Sequence, residues 1–508
     1  MQSPGQDVHH RWGVLIFGDE LDRDRASRIE EVLRMIIVKG EERGGRDSFG
    51  IVALDKNGEL SVFKSRDRPS IAVNKMPSII NENTVAAIFN NRAEPTTEYV
   101  KAKVEDDIQP MIGEHVVVAH NGTIANDKDL ETRFNLIRRS RIDTAILPPL
   151  LERFWNGSLN GLRDVLINYV IGSYALAIMD TRRPGKVWLA TNFKPLYMAW
   201  YSDLKALFFA SLDDYLIDSQ SRPIWDMPVI RRVEPYTAME IGGVDGTWST
   251  VSLRREEQGR KRRVLVIASG GLDSTTAATH LLRQGYDVAL LHFNYGHRAE
   301  TQEDRAIKRI AEFLGVPLLE VNMDFFKVVR HSPLLGDGEI NRVDEGREGA
   351  EFAHEWVPAR NFVFIALATA IAEAYGYDYI ATGINLEEAG AYPDNEMEFI
   401  RLLNKVMPYA VGPPNKHVEL LMPVGHLVKH EIVKLGLEVG APLHLTWSCY
   451  DNGERHCGRC GPCYMRRWAF RINGVRDPPV EYDLPSEVEE EFWRGGTKPY
   501  EIPKRPSD

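Results

Sequence analysis

The chain has 508 residues, of which 43% are apolar and 27% charged, and its formal net charge is −11 at pH 7. This length exceeds what a single hydrophobic core usually supports, so we expect two or three domains in an ordinary globular enzyme. The sequence has neither a membrane-length apolar run nor a secretion signal, which predicts a cytoplasmic protein with no membrane partner; the negative charge disfavours tRNA without eliminating a local basic groove.

The first half of the chain has the pattern of short strands. Apolar segments bounded by Gly, Asn and Asp turns follow one another from WGVLIFG, which starts at Trp12, to LKALFFAS, which starts at Leu204. Helical stretches at about 22–40 and 143–155 interrupt them. This pattern predicts antiparallel sheets with a few helices.

A charged run, LRREEQGRKRR, separates two regions of different character. We interpret this run, residues 253–263, as a solvated linker between a domain at 1–252 and a second domain at 264–475. In the second domain strands and helices alternate, which is typical of a parallel sheet with helices on both faces, so the fold class is α/β. Residues 476–508 are rich in Pro and acidic residues, and we predict an extended or partly disordered tail.

The strongest catalytic pattern is ASGGLDSTT, residues 268–276, between a predicted strand and a predicted helix. Two glycines let backbone N–H groups approach an anion, and a helix N-terminus favours negative charge. The hydroxyls of Ser269, Ser274 and Thr275 can donate to phosphate oxygens. Asp273 fits such a site if Mg²⁺ is present or if it holds the shape of the loop. No Gly-Lys-[Ser/Thr] follows, so this is not a Walker loop, and an ordinary capped strand–helix turn is the alternative.

All four cysteines of the chain lie within fifteen residues, in the spacing C-x7-C-x2-C-x2-C. In a cytosolic protein such a cluster indicates a metal site and not disulfides. Four thiolates are typical of structural zinc, because they leave no open position for a substrate. The predicted ligands are Cys449, Cys457, Cys460 and Cys463.

SGGLDST resembles the pyrophosphate-binding loop of the PP-loop ATP pyrophosphatases, and four later segments resemble the QueC family of 7-cyano-7-deazaguanine synthases. The segments are HFNYGHRAETQEDRA (292–306), WVPARN (356–361), ATGINLEEAGAYPDNEMEFI (381–400) and LTWSCYDNGERHCGRCGPCYMRRWAF (445–470). The resemblance implies a PP-loop domain of the adenine nucleotide α-hydrolase-like fold. It also implies that ATP with Mg²⁺ adenylates 7-carboxy-7-deazaguanine, that an amine displaces AMP, and that four cysteines bind zinc.

The same resemblance implies roles for single residues. It assigns ATP binding to Ser269, Gly270, Gly271, Leu272, Asp273, Ser274, Thr275 and Gly383. It assigns substrate binding to Tyr295, Arg298, Arg360, Asn361, Asp394 and Glu398. We expect Asp273, Ser274 and Arg360 to be catalytic. Arg360 is the best candidate to bind the ATP phosphate or the substrate carboxylate, because Arg binds such groups bidentately; a surface ion pair is the alternative. The carboxylates of Asp394 and Glu398 suit a guanine-like edge, with helix capping as the alternative for Asp394; His297 stands where the family pattern has Gln.

Six segments of the first half resemble a class II glutamine amidotransferase domain, which implies the Ntn-hydrolase αββα sandwich. They are GGRDSFGIVAL (44–54), FNNRAEPT (89–96), VVVAHNGTIANDKDL (116–130), RIDTAIL (141–147), GSYALAIMD (172–180) and KPLYMAW (194–200). Such domains release ammonia from glutamine through an N-terminal Cys. Here Trp12 occupies that position and offers neither a thiolate nor a free α-amine, so we predict no glutaminase activity.

Other residues of the glutamine pocket match the family. Asn121 and Gly122 match its oxyanion-hole pair, and Arg92 and Asp143 match the residues that hold the α-carboxylate and α-amino group of glutamine. Two interpretations stay open: an inherited scaffold, or a pocket that still receives a ligand with a free α-amine.

Together these features predict an ATP-dependent carbon–nitrogen ligase, which we expect to form a homo-oligomer. The acceptor is free ammonia, a tRNA-bound deazaguanine as in archaeosine-type amidotransferases, or an amine of a protein, as in QueC-like proteins of antiviral operons. The missing glutaminase and the net acidity favour the third acceptor modestly. Asparagine or β-lactam synthetase chemistry is an alternative that the cysteines and VPARN disfavour, and a non-enzymatic nucleotide sensor is another.

Overall fold

The structure is a computed structural model of the chain. It describes residues 10–18, 21–42, 45–92, 105–216, 228–242, 247–254, 260–329, 332–336, 339–340, 356–389, 392–412, 417–478 and 481–505. The chain divides into two compact units, of which the first extends to Glu256 and the second comprises Glu257–Gly412 and Lys416–Asp508. None of the described helices is long and apolar enough to span a membrane.

The first unit contains strands and helices in the following order: β1 His10–Ile16, α1 Arg23–Glu42, β2 Ser48–Asp55, β3 Leu60–Ser65, α2 Pro69–Lys75, β4 Thr84–Arg92, β5 Met111–Ile112, β6 Val116–Ile124, α3 Asp127–Phe134, α4 Leu147–Phe154, α5 Leu159–Tyr169, β7 Gly172–Asp180, β8 Lys186–Thr191, β9 Tyr197–Tyr201, β10 Ala206–Ala210, β11 Ile230–Arg232, β12 Thr237–Gly242 and β13 Trp248–Ser252.

These strands form two antiparallel sheets. Among the described residues one sheet has the order β11-β9-β10-β1-β4-β2-β3, and the other has the order β13-β12-β8-β7-β6-β5. Their inner faces pack on each other through an apolar layer that includes Leu15, Val52 and Leu189. Helices α1 and α2 cover the first sheet, and α4 and α5 cover the second. The predicted αββα sandwich is confirmed.

Three helices of this unit, α2, α3 and α5, were not predicted from the sequence. Helix α3 has the sequence DKDLETRF and buries only Leu130, so it has no apolar periodicity to detect. Helix α2 is one short segment that begins with Pro69. Both helices are stabilised by tertiary contacts more than by their own pattern.

The second unit contains β14 Arg263–Ile267, α6 Leu272–Arg283, β15 Asp287–Asn294, α7 Glu300–Leu314, β16 Leu318–Asn322, α8 Arg360–Tyr375, β17 Tyr379–Ala381, α9 Leu386–Ala389, α10 Met397–Ala410, β18 Glu419–Leu421, α11 Lys429–Val439, α12 Gly461–Ile472 and α13 Ser486–Trp493.

Its described strands form a parallel sheet of order β16-β15-β14-β17-β18. Helices α6 and α7 pack on one face, and α8 and α10 on the other. This is the predicted α/β domain. From β14 the chain first adds β15 and β16 on one side and then β17 and β18 on the other, so the strand order reverses between β14 and β17. Open α/β sheets bind ligands at such a point.

The predicted extended wrap agrees with most of the described residues of the tail, but one helix was not predicted. This helix is α13, and the side chain of Asp477 is fully buried against Arg466. The acidic residues of the segment suggested solvent, but Asp477 instead neutralises a buried cation.

Candidate active site

The glycine-rich loop joins the end of β14 to the start of α6 at the carboxyl edge of the sheet. Gly270 has a φ of +84°, and a Cβ there would lie 3.1 Å from the Cβ of Ala306. The carbonyl oxygen of Gly270 accepts a hydrogen bond from the backbone N–H of Trp447 at 2.9 Å. The loop is therefore pressed against α7 and leaves the N-terminus of α6 facing a cavity.

This cavity has a volume of about 290 Å³ and contains most of the residues predicted to bind ATP and substrate. The predicted residues that line it are Ser269, Gly271, Leu272, Asp273, Ser274, Tyr295, Arg360, Asn361, Gly383 and Asp394. They come from five separate segments of the sequence, which the parallel sheet brings to one edge.

The other predicted residues lie elsewhere. Gly270 lies on the side of the loop that packs against α7, and Thr275 is buried within α6. The guanidinium of Arg298 donates from Nε to the carbonyl oxygen of Pro333 at 2.8 Å. Glu398 points to solvent on α10, where its carboxylate pairs with Arg401 and its pKa is held below the usual range by that hydrogen bond.

Lys429, at the first position of α11, is a cavity residue that the sequence did not reveal. Its Nζ lies 2.5 Å from Oδ2 of Asp273. The carboxylate in the predicted anion site is thus neutralised by a cation of the protein. The available signal was a Lys in the first turn of a helix, where positive charge is unfavourable.

Four buried polar atoms of cavity-lining residues have no hydrogen-bond partner among the described residues. They are Oδ1 of Asp273, Oγ of Ser274, Oγ1 of Thr382 and Nε2 of His292. Buried polar groups are seldom left without a partner. A polar ligand that supplies both donors and acceptors would satisfy them, as would a nucleotide with its divalent cation.

A second group of residues forms the opposite wall of the cavity. The carboxylate of Asp394 accepts hydrogen bonds from the backbone N–H and the side-chain amide of Asn361, at 3.2 and 3.3 Å. Burial raises the pKa of Asp394 despite these bonds. Nη1 of Arg360 lies 3.4 Å from the hydroxyl of Tyr295, whose pKa is raised by burial. The wall offers a cation, amides and a carboxyl group to a planar polar substrate.

The four cysteines converge as predicted, and their sulfur atoms all lie within 4.8 Å of one another. Backbone N–H groups of Cys457 and Cys460 donate to sulfurs of the cluster, each at 3.3 Å. Hydrogen bonds from its cysteine neighbours, Cys449 first, hold the pKa of Cys457 well below the usual range. Converging sulfurs with N–H donors fit a tetrahedral thiolate metal site.

The cysteine cluster backs directly onto the cavity. Ser448 and Tyr450, on either side of Cys449, line the cavity, and so do Pro462 and Met465 of α12. Arg466, the residue after Met465, is fully buried. Its Nη1 lies 3.2 Å from Oγ of Ser448, and its Nε lies 2.9 Å from Oδ2 of Asp477. The cluster and this ion pair together fix one wall of the cavity.

In the first unit, the strand that carries Trp12 lies in the middle of the first sheet. The backbone of Trp12 pairs with Ala210 and Phe89, while its side chain lies outside the described part of the structure. A Cβ on the next residue, Gly13, would lie 2.1 Å from the ring of Phe209. Packing alone therefore requires this glycine.

The other residues of the predicted pocket have intramolecular partners. Nη1 of Arg92 donates to the carbonyl oxygen of Asp107 at 3.3 Å, and Asp143 accepts from the backbone N–H of Ile124 at 2.7 Å. The amide of Asn121 lies 3.5 Å from the hydroxyl of Ser211. A Cβ on Gly122, which has a φ of +132°, would lie 1.9 Å from the carbonyl oxygen of Ser173. Each residue thus has a structural role.

Two protein families match the chain. The family described as Queuosine biosynthesis protein QueC matches residues 263–474, and the one described as Glutamine amidotransferase domain matches residues 97–218. These matches confirm the two resemblances seen in the sequence.

Two curated relatives match almost the whole chain, and a third matches less than half of it. The 7-cyano-7-deazaguanine synthase of Saccharolobus solfataricus is 56% identical over 93% of this chain and 98% of that protein. The 7-cyano-7-deazaguanine synthase 2 of Sulfurisphaera tokodaii is 54% identical over 93% of this chain and 99% of that protein. The 7-cyano-7-deazaguanine synthase of Methanothrix thermoacetophila is 41% identical over 43% of this chain and 98% of that protein.

Proposed function

The chain belongs to the QueC family of 7-cyano-7-deazaguanine synthases, which are ATP-dependent carbon–nitrogen ligases, and from this premise we propose that it adenylates 7-carboxy-7-deazaguanine and couples it to ammonia. Adenylation is needed because a free carboxylate does not react with amines. The unpartnered polar atoms around the glycine-rich loop are the observation that supports ATP as the first substrate most strongly.

The residues of the cavity divide between the two substrates. The backbone amides at the start of α6, with Ser274 and Lys429, hold the phosphates. Asp273 holds Lys429 in place and has a second oxygen free for Mg²⁺, which would neutralise charge on the leaving pyrophosphate. Arg360 orients the substrate carboxylate toward the α-phosphate, and Asp394 accepts hydrogen bonds from the guanine-like edge.

The four cysteines hold a structural Zn²⁺ in this proposal. A set of four thiolates has no open position, so the ion would fix the cavity wall and take no part in the chemistry.

Ammonia is the acceptor that the relatives favour. The relative from Methanothrix thermoacetophila bears the same name, yet 43% of this chain covers 98% of it. The synthesis of 7-cyano-7-deazaguanine that its name describes therefore does not require an amidotransferase-like unit in the same chain. Since Trp12 cannot serve as a glutaminase nucleophile, the ammonia would come from solution or from another protein.

The test is mass spectrometry of the products after incubation with 7-carboxy-7-deazaguanine, Mg-ATP and ammonium chloride. We expect release of AMP and pyrophosphate, with a product that has the mass of the amide or the nitrile. Parallel reactions with glutamine, with deazaguanine-containing tRNA and with a protein amine identify another acceptor. Pyrophosphate release that does not depend on 7-carboxy-7-deazaguanine would contradict the proposal.

A further inference from the structure

His292 lies near the carboxyl end of β15, and only 1% of its surface is exposed. Its Nδ1 is 2.9 Å from the carbonyl oxygen of Ala268, the residue that precedes the glycine-rich loop. Because a carbonyl oxygen can only accept a hydrogen bond, Nδ1 carries the proton. In the neutral imidazole Nε2 then has a lone pair and is an acceptor.

This acceptor is buried and has no partner among the described residues, although His292 lines the cavity. The carboxylate of Asp304, whose oxygens lie 2.8 and 2.9 Å from Nζ of Lys308, cannot serve as the partner, because an ionised carboxylate has no proton to donate to a lone pair. Buried acceptors are rarely left without a donor. A donor from a bound ligand is therefore expected at Nε2.

The position of His292 in the sheet indicates which part of a nucleotide it meets. The phosphate end of the cavity lies between β14 and β17, where a Cβ on Gly383 would be 2.7 Å from the backbone nitrogen of Ser274. His292 lies on β15, on the opposite side of β14. A nucleotide with its phosphates at the start of α6 would extend its nucleoside half toward β15.

The chemistry of the acceptor agrees with this direction. Ionised phosphate oxygens accept hydrogen bonds and would be repelled by a lone pair. The N–H and O–H donors of the nucleoside half of ATP are the 6-amino group of adenine and the ribose hydroxyls. We propose that Nε2 of His292 accepts a hydrogen bond from one of these groups and so helps to select the nucleotide. This inference rests on the proposed function, because it takes ATP as the ligand.

Two substitutions separate the two nitrogens of the ring. In His292→Asn an amide N–H can still donate to Ala268, but no atom occupies the place of Nε2. In His292→Gln an amide oxygen can occupy that place, while the contact with Ala268 is lost. The pair therefore distinguishes selection of the ligand from support of the loop, and thermal unfolding checks that both variants fold.

The experiment is calorimetric titration of the full chain with Mg-ATP, ITP, 2′-deoxy-ATP and 3′-deoxy-ATP. We expect the unmodified protein to bind ATP at least about tenfold more tightly than the analogue that lacks or reverses the critical donor. His292→Asn should lose that preference, and His292→Gln should keep most of it. The analogue that discriminates shows whether the base or the ribose is the donor.

Equal affinity of the unmodified protein for all four nucleotides would overturn the inference and leave the proposed function intact, with Nε2 then paired to water. An effect of His292→Asn on the KM for 7-carboxy-7-deazaguanine alone would also overturn it. If the unmodified protein binds no ATP, the proposed function fails first, and the inference fails with it.

Discussion

The ion pair between Asp273 and Lys429 is the feature of single residues that most changes the interpretation of the site. An aspartate beside a phosphate-binding loop repels its own ligand unless a cation is present. The side chains of Asp273 and Lys429 are 17% and 13% exposed, so the pair is partly shielded from solvent. Lys429 thus offsets the charge of Asp273, and its ammonium group lines the cavity that we propose for the phosphates.

We expect Lys429→Met to lower kcat for pyrophosphate release on the order of a hundredfold, because one charged donor to the transferred group is lost. Lys434→Met is the matched control, since Lys434 lies on the same helix with its side chain exposed. Measurement of pyrophosphate release under saturating ATP separates loss of kcat from weaker binding. Equal activity of both variants would mean that Lys429 only stabilises α11.

The segment from Cys449 to Cys463 is the element that joins the cysteine cluster to the cavity. Residues next to the cysteines line the cavity, and Arg466 of α12 reaches Ser448 at 3.2 Å. A disturbance of the cluster should therefore reach the nucleotide site. It should not remain confined to a peripheral lobe.

We expect about one zinc ion per chain by elemental analysis. Removal of the metal with a strong chelator should lower Tm by about 10 °C and weaken ATP binding, because thiolate sites contribute directly to folding. Addition of Zn²⁺, but not of Mg²⁺, should restore both. A chain that loses its metal and keeps its affinity for ATP would show that the cluster does not support the cavity wall.

Contiguous motifs allowed the sequence to predict the loop at 268–276, the cysteine cluster and both domain types. Contacts between distant segments could not be predicted: Lys429 is 156 residues from Asp273. Glu398 shows a related difficulty. Glu398 follows Asp394 by four residues, a spacing that would place both side chains on one face of a helix. Helix α10 begins only at Met397, however, so the two carboxylates face different directions.

At the scale of the whole molecule, an amidotransferase-like unit with Trp12 at the predicted position of the nucleophile is joined to a QueC-like unit. The residues that match the glutamine pocket have roles in packing or hydrogen bonding within the first unit. These roles are sufficient to explain why the residues are present. They favour the inherited scaffold over a pocket for an amino acid.

We expect the purified protein to hydrolyse glutamine no faster than a heat-killed control, because Trp12 supplies neither a thiolate nor a free α-amine. Even Trp12→Cys should stay inactive, since residue 12 follows Arg11 through a peptide bond. Ammonium chloride should support ligase turnover in the same preparation. Glutamine-dependent ammonia release would show that another group acts as nucleophile.

A double variant, Arg92→Ala with Asp143→Asn, tests what the first unit still binds. If the scaffold interpretation holds, the variant loses stability in thermal unfolding, while turnover with ammonium stays unchanged at a temperature where both proteins are folded. Loss of binding to an amino acid that the unmodified protein binds would instead support a ligand with a free α-amine.

The buried pair of Arg466 and Asp477 has a consequence for how the protein is made. A ribosome adds Arg466 to the growing chain eleven residues before the carboxylate that neutralises it. Until Asp477 has emerged, burial of Arg466 would leave an uncompensated charge in the interior, which is strongly unfavourable. We therefore expect the cavity wall that contains Arg466 to form only after Asp477 has been added to the chain.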